Sequence, residues 1–174
     1  MGIILSYLWP LSTEVDPVTG LSPKDKHLLT TTWALVKKDA AGNGSHLFRL
    51  LFEKHPDVRD MFPFARGKQW AEYSEDARLR AHVSSVMYAL TSMVDNLGDV
   101  ACLDAMVRKL ADNHVRRRVT LEHFKALGGI LVQTLQDKLG PSIMTAETTT
   151  AWARMYDLVL KVLADQMAKP KGSD

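Results

Sequence analysis

Cysteine is nearly absent from this 174-residue chain, which has only Cys102. No intramolecular disulfide can form, so the fold needs no oxidising compartment. A C-x-x-C-H covalent cofactor attachment and a cysteine-ligated cluster are excluded for the same reason. No apolar run approaches the ~20 residues that cross a bilayer as a helix. A surplus of one charge is also missing, with 22 Lys and Arg against 20 Asp and Glu, a net charge of +2. No basic helix carries interleaved aromatics, so nucleic acid is not an expected partner. Neither an internal repeat nor a useful stretch of strand alternation occurs. No Ser-His-Asp set, paired carboxylates or phosphate loop stands out.

What the chain does have is apolar residues, 46% of the total, enough to bury the core of one ordinary domain. Residues 1–20 read as an extension punctuated by Pro10, Pro17 and Gly20. Ile3 to Leu11 is apolar, but no positive charge precedes it and no small-x-small site follows, which argues against a secretory signal. Met1-Gly2-Ile3-Ile4-Leu5-Ser6 fits the N-myristoylation pattern with Gly2 as acceptor. One acyl chain holds a membrane only marginally, and Leu5, Tyr7, Leu8, Trp9 and Leu11 would supply a second anchor. The expected location is cytoplasmic, with peripheral attachment to the inner face of the plasma membrane through this N-terminus. The alternatives are a flexible extension and one that packs back on the domain.

The rest predicts an all-α domain over 21–168, with seven or eight helices and a flexible tail at 169–174. Ser22-Pro23 opens the first helix, serine as N-cap and proline at the first helical position. Gly42-Asn43-Gly44 is expected to break it. Pro56 ends the second helix or opens a short turn. Met61-Phe62-Pro63-Phe64 puts two phenylalanines in a connection, which implies that this loop covers something apolar. Ser74 is the expected cap of the next helix, with Glu75 and Asp76 in its first turn, and Gly98-Asp99 ends it. Thr120 opens a helix containing Gly128-Gly129, a pair that implies a close neighbour. Gly140-Pro141 stops it, and Thr145 caps the last helix.

Two histidines stand out against this background. Leu79, His82, Val83, Val86, Leu90, Met93, Val94 and Leu97 recur at helical spacing, so His82 faces the core side of its helix. Leu103, Met106, Val107, Leu110 and His114 do the same on the next one. Burying an imidazole without a partner is unfavourable, and a shared metal ion or metal cofactor would satisfy both. His27, His46 and His55 read as surface or capping residues, and His123 as a helix-start residue.

Taken together, the residues resemble the animal globins from about Leu21 to Met167. The resemblance rests on an ordered set: Trp33; Gly44 then Phe48; His55-Pro56 then Phe62; His82 then Val86; Leu110 then His114; and Val119, His123 and Phe124. It implies a globin fold around haem b (iron protoporphyrin IX). On that likeness His114 is the proximal iron ligand, its second nitrogen donating to the Leu110 carbonyl, and His82 is the distal histidine with Val86 beside it. Phe62 stacks on the haem, Phe48 lies on the distal side, and Val119, Phe124 and Leu127 lie on the proximal side. One of Arg116, Arg117 and Arg118 would meet the propionates.

Phe48 brings the likeness closer to neuroglobin-like, cytoglobin-like and globin X proteins than to muscle myoglobin. Ile3 departs from it, where globin X proteins usually place a cysteine, and so does Ser85, where neuroglobin has a lysine. The resemblance implies reversible binding of O2, CO and NO, with His82 also on the iron when no gas is bound. The alternative it leaves is a redox or NO-detoxifying role at a membrane, as an NO dioxygenase, nitrite reductase or electron carrier. That role needs a separate reductase, because the chain has no flavin or nicotinamide motif.

Overall fold

The protein is described by a computed structural model covering residues 11–169, so Gly2, its acylation and any membrane attachment through it lie outside the described residues. Seven α-helices follow one another: α1 (Pro23–Val36), α2 (Ala40–Lys54), the single turn α3 (Pro56–Arg59), α4 (Ala77–Asp95), α5 (Val100–Val115), α6 (Leu121–Leu139) and α7 (Ala146–Met167). Short 3-10 turns occupy Lys37–Asp39 and Trp70–Glu72, and no strand occurs among the described residues. No described helix is long and apolar enough to cross a membrane.

Capping chemistry sets most helix starts. At α1 the Asp25 amide donates to Ser22 Oγ (3.0 Å) and the Ser22 amide donates to Asp25 Oδ2 (2.9 Å), a reciprocal box with Pro23 at the first position. Thr120 and Thr145 head α6 and α7, and Gly140, at φ 73°, terminates α6.

Two boundaries differ from expectation. Gly42-Asn43-Gly44 does not break a helix but lies inside α2. The chain bends earlier, and Asp39 caps α2 by accepting from the Gly42 amide (3.0 Å). Gly44 is there for packing: a Cβ on it would lie 2.6 Å from Val83 Cγ1 and 2.8 Å from Met87 Cγ, so its absence lets α2 and α4 cross closely. The cap of α4 is Asp76, not Ser74; its carboxylate accepts from the Arg78 amide (2.8 Å). Ser74 instead closes the turn before it, its amide donating to the Trp70 carbonyl (2.9 Å).

The core is one cluster centred on Trp33 and Trp152, whose rings meet at 5.6 Å. Each indole N–H is satisfied, by Thr91 Oγ1 and Thr32 Oγ1 respectively, both at 3.0 Å. Helix α2 packs on α4 and α6, while α7 packs on α1, α5 and α6. Helix α5 packs extensively only on α7. A gap therefore remains between α4 and α5, floored by α2 and α6 and flanked by the loop after α3.

Candidate functional site

That gap is a cleft of about 410 Å³, within the usual size range of ligand pockets. Helix α2 contributes Phe48 and Leu51, and α3 contributes Val58. The following loop adds Met61, Phe62 and Pro63, which is the apolar surface its two phenylalanines implied. Helix α4 presents His82 and Val86, and α5 presents His114. Arg117 and Val119 line it from the α5–α6 connection, and His123, Phe124 and Leu127 from α6.

His114 is held on both sides of its ring. Its Nδ1 donates to the Leu110 carbonyl one turn back (2.8 Å), which fixes the tautomer and leaves Nε2 with a free lone pair. Its ring meets Phe124 at 5.1 Å, nearly edge to face. Phe124 is fixed in turn, because its carbonyl accepts from the buried Tyr156 hydroxyl (2.8 Å). Burial pushes the Tyr156 hydroxyl well above its ordinary pKa, so it remains a donor.

His82 sits between two aromatic rings, 5.2 Å from Phe48 and 5.0 Å from Phe62. Among the described residues neither of its ring nitrogens has a hydrogen-bond partner. Burial lowers its pKa, and the nearby His114 and Arg117 lower it further. Burial also lowers that of His114, against the opposing hydrogen bond to Leu110. Both imidazoles are thus neutral at pH 7, the state in which a histidine offers a lone pair to a metal.

Two imidazoles are too few donors for a bare metal ion, which ordinarily takes at least three protein ligands. Among the described residues no group of three or more His, Cys, Asp or Glu side chains is placed to hold one. A flat apolar cofactor that brings its own metal would fit what is present: two neutral imidazoles, apolar walls and an arginine among the lining residues.

The globin family profile matches residues 45–163. This chain belongs to the globin family. Membership carries a haem cofactor and haem-based binding of oxygen and other gases. The chain is 34% identical over 134 residues to the Globin-2 B chain of Anadara inaequivalvis, covering 77% of this chain and 87% of that one. It is 27% identical over 150 residues to a globin of Nerita albicilla, covering 86% and 95%. It is also 26% identical over 154 residues to a protein of Physcomitrium patens named as an anaerobic nitrite reductase, covering 87% and 84%.

The structure brings His82, His114, Phe48, Phe62, Val86, Arg117, Val119, Phe124 and Leu127 to one cleft. Leu110 acts there through its carbonyl rather than its side chain. Arg118 does not line the cleft. Its backbone is left-handed (φ 62°), which turns the chain so that the Val119 amide reaches the His114 carbonyl (3.1 Å). Sequence reasoning missed Leu51, Val58, Met61, Pro63 and the ring of His123. His123 is the helix-start residue expected, its Nδ1 accepting from the Thr120 amide (3.1 Å), yet it also faces the cleft. Its place one turn before Leu127 was the available signal.

Proposed function

We propose that this globin binds diatomic gases (O2, CO and NO) reversibly on haem b, with His114 and His82 both on the iron when no gas is present. Haem b, when bound, would supply an iron that takes a small diatomic ligand. The protein's part is to hold, orient and exclude. His114 presents Nε2 because Leu110 occupies Nδ1. Phe48, Phe62 and Val86 keep bulk water from the His82 side, and Val119, Phe124 and Leu127 pack the other. Arg117, whose guanidinium donates to the Asn113 carbonyl, would meet the haem propionates.

The observation that carries this reading is a pair of neutral imidazoles in one apolar cleft, one tied by Nδ1 and the other without a partner. Phe48 adds support through the resemblance it suggests to neuroglobin-like, cytoglobin-like and globin X proteins, although the chain's relatives include mollusc globins. If His82 occupies the gas position, an incoming ligand must displace it, and apparent affinity falls by the fraction of protein in the open state. The visible spectrum of the deoxygenated ferrous protein tests this. Two sharp bands are expected, and a single broad band overturns the bis-histidine reading. His82→Leu is expected to speed CO binding, and unchanged kinetics count against ligation by His82.

A second reading, a redox role toward NO or nitrite with a separate reductase, draws on relatives named as anaerobic nitrite reductases. Anaerobic nitrite consumption by the reduced protein, compared with His82→Leu, tests it.

A further inference from the structure

A second apolar groove, of about 280 Å³, runs between α5 and α7 and shares no residue with the histidine cleft. Leu103 and Val107 form one wall, Leu158 and Val162 the other, and Val18 of the segment before α1 closes it. At its edge Arg108 is neutralised by Asp104 (2.7 Å) and Asp165 (2.6 Å).

The segment holding Val18 is fastened to the domain. The Lys24 amide donates to the Ser12 carbonyl (3.2 Å), the Gly20 amide donates to the Asp16 carbonyl (2.8 Å), and Leu21 is fully buried. Yet this segment leaves Leu11, Val15 and Val18 bare, at 46%, 44% and 65% exposure. Those are three of the five large apolar residues exposed among the described residues, so the uncovered apolar surface is concentrated in the segment that brings Val18 to the groove. Such a concentration marks a docking surface rather than ordinary scatter.

We propose that residues 3–9 of this same chain fold back and fill the α5–α7 groove. Ile3-Ile4-Leu5-Ser6-Tyr7-Leu8-Trp9 carries no charged side chain, so it brings no ion of its own into the groove, whose charged residues Asp104, Arg108, Lys161 and Asp165 stay at the rim. A cavity of ~150 Å³ accepts a benzene ring, which gives this groove room for about two ring-sized or leucine-sized side chains. The reach is sufficient. Ile3 lies seven positions before Pro10 and Leu11 seven before Val18, so the segment is long enough to return to the groove even across a fully extended 11–18. Once seated, it lies along the stretch of α5 that carries Leu103 and the already buried Val107, seven residues before His114.

Amide exchange on the full-length haem-loaded protein tests this at low micromolar concentration without lipid. Leu5→Glu/Leu8→Glu alters only the docking segment and leaves the domain intact. It is expected to raise exchange at 100–107 and 158–165 by about tenfold with haem content unchanged. Val18→Glu/Val162→Glu is expected to release 3–9 to the same degree. In a Cys102→Ser background, Leu8→Cys with Val162→Cys is expected to form a disulfide within one monomer. Equal exchange in the wild type and both variants overturns the proposal. So does protection of 3–9 that arises only with phosphatidylserine vesicles, or that scales with protein concentration alongside an inter-chain disulfide.

Discussion

Gly128 and Gly129 are neighbours on α6, yet replacing each with alanine is expected to move stability in opposite directions. Alanine in a helix interior is favoured over glycine by roughly 0.8–1 kcal/mol. At Gly129 a Cβ meets nothing within 4 Å, so Gly129→Ala keeps that gain. For a domain of this size it raises Tm by about 2–4 °C. At Gly128 a Cβ would lie 2.4 Å from Tyr156 Cε1 and 2.5 Å from Cδ1, so the ring must retreat by about 1 Å to reach ordinary contact. It cannot do so freely, because the Tyr156 hydroxyl is anchored to the Phe124 carbonyl. Overpacking costs about 1–3 kcal/mol, and loosening a buried hydrogen bond about 1–3 more. Against the propensity gain, Gly128→Ala is expected to lose about 1–5 kcal/mol. The displaced ring also loosens Phe124 against His114, so haem should leave faster. Thermal unfolding by far-ultraviolet circular dichroism reads the first effect, and Soret decay with a haem scavenger reads the second. Shifts of the same sign for both variants, or a Gly128→Ala protein as stable as the parent, would refute this reasoning.

Two other outcomes follow from named contacts. Arg117→Ala is expected to raise the rate of haem loss by up to about fivefold, the scale of a solvent-screened ion pair, while Arg118→Ala leaves it unchanged; the same scavenger assay decides between them. At Asp25 burial alone would raise the carboxyl's pKa. The hydrogen bonds from the Ser22 amide and hydroxyl and from Arg154 outweigh burial and hold it below the ordinary value. A depressed folded-state pKa gives stability that is present above about pH 4 and lost as pH falls through the folded value. Asp25→Asn should therefore lower stability at pH 7 and flatten its loss below pH 4, as followed by urea midpoints across pH.

The parts of this fold that were legible in the sequence are those fixed by local chemistry. Ser22-Pro23, Thr120, Gly140-Pro141 and Thr145 each carry their capping or stopping role within a few residues. Gly44 misled because a glycine that breaks a helix and one that lets Val83 and Met87 approach leave the same mark. Only the second helix distinguishes them. Ser74 and Asp76 are both good caps two residues apart, and the turn from Trp70 decided the matter by using the Ser74 amide. In the cleft, His82 and His114 were visible because a polar ring on an apolar stripe is conspicuous. Leu51, Val58 and Met61 were not, since an apolar residue facing a ligand and one facing the core read alike. The choice between Arg117 and Arg118 rests on a left-handed residue, which no spacing rule supplies.

The two walls of the cleft are held very differently, and this bears on where the protein opens. Helix α7 buries seven residues and α6 six, whereas α5 buries only Leu103, Val107 and Ala111. Its extensive packing is on α7 alone, so the wall carrying His114 is fixed from behind and has little protein to press against in front. Few buried contacts place a segment at the low end of local stability. Without haem, amides of 110–115 are expected to exchange well before those of 152–159. A ligand lost on opening stabilises the closed form by RT ln(1 + [L]/Kd), about 2.7 kcal/mol at 100 times Kd. Hemin at that level should slow exchange at 110–115 about 100-fold and leave the core of α7 nearly unchanged. If apo-protein amides at 110–115 prove as protected as those of α7, the wall is rigid by itself. The separation of His82 and His114 would then be set by the fold rather than by the group between them.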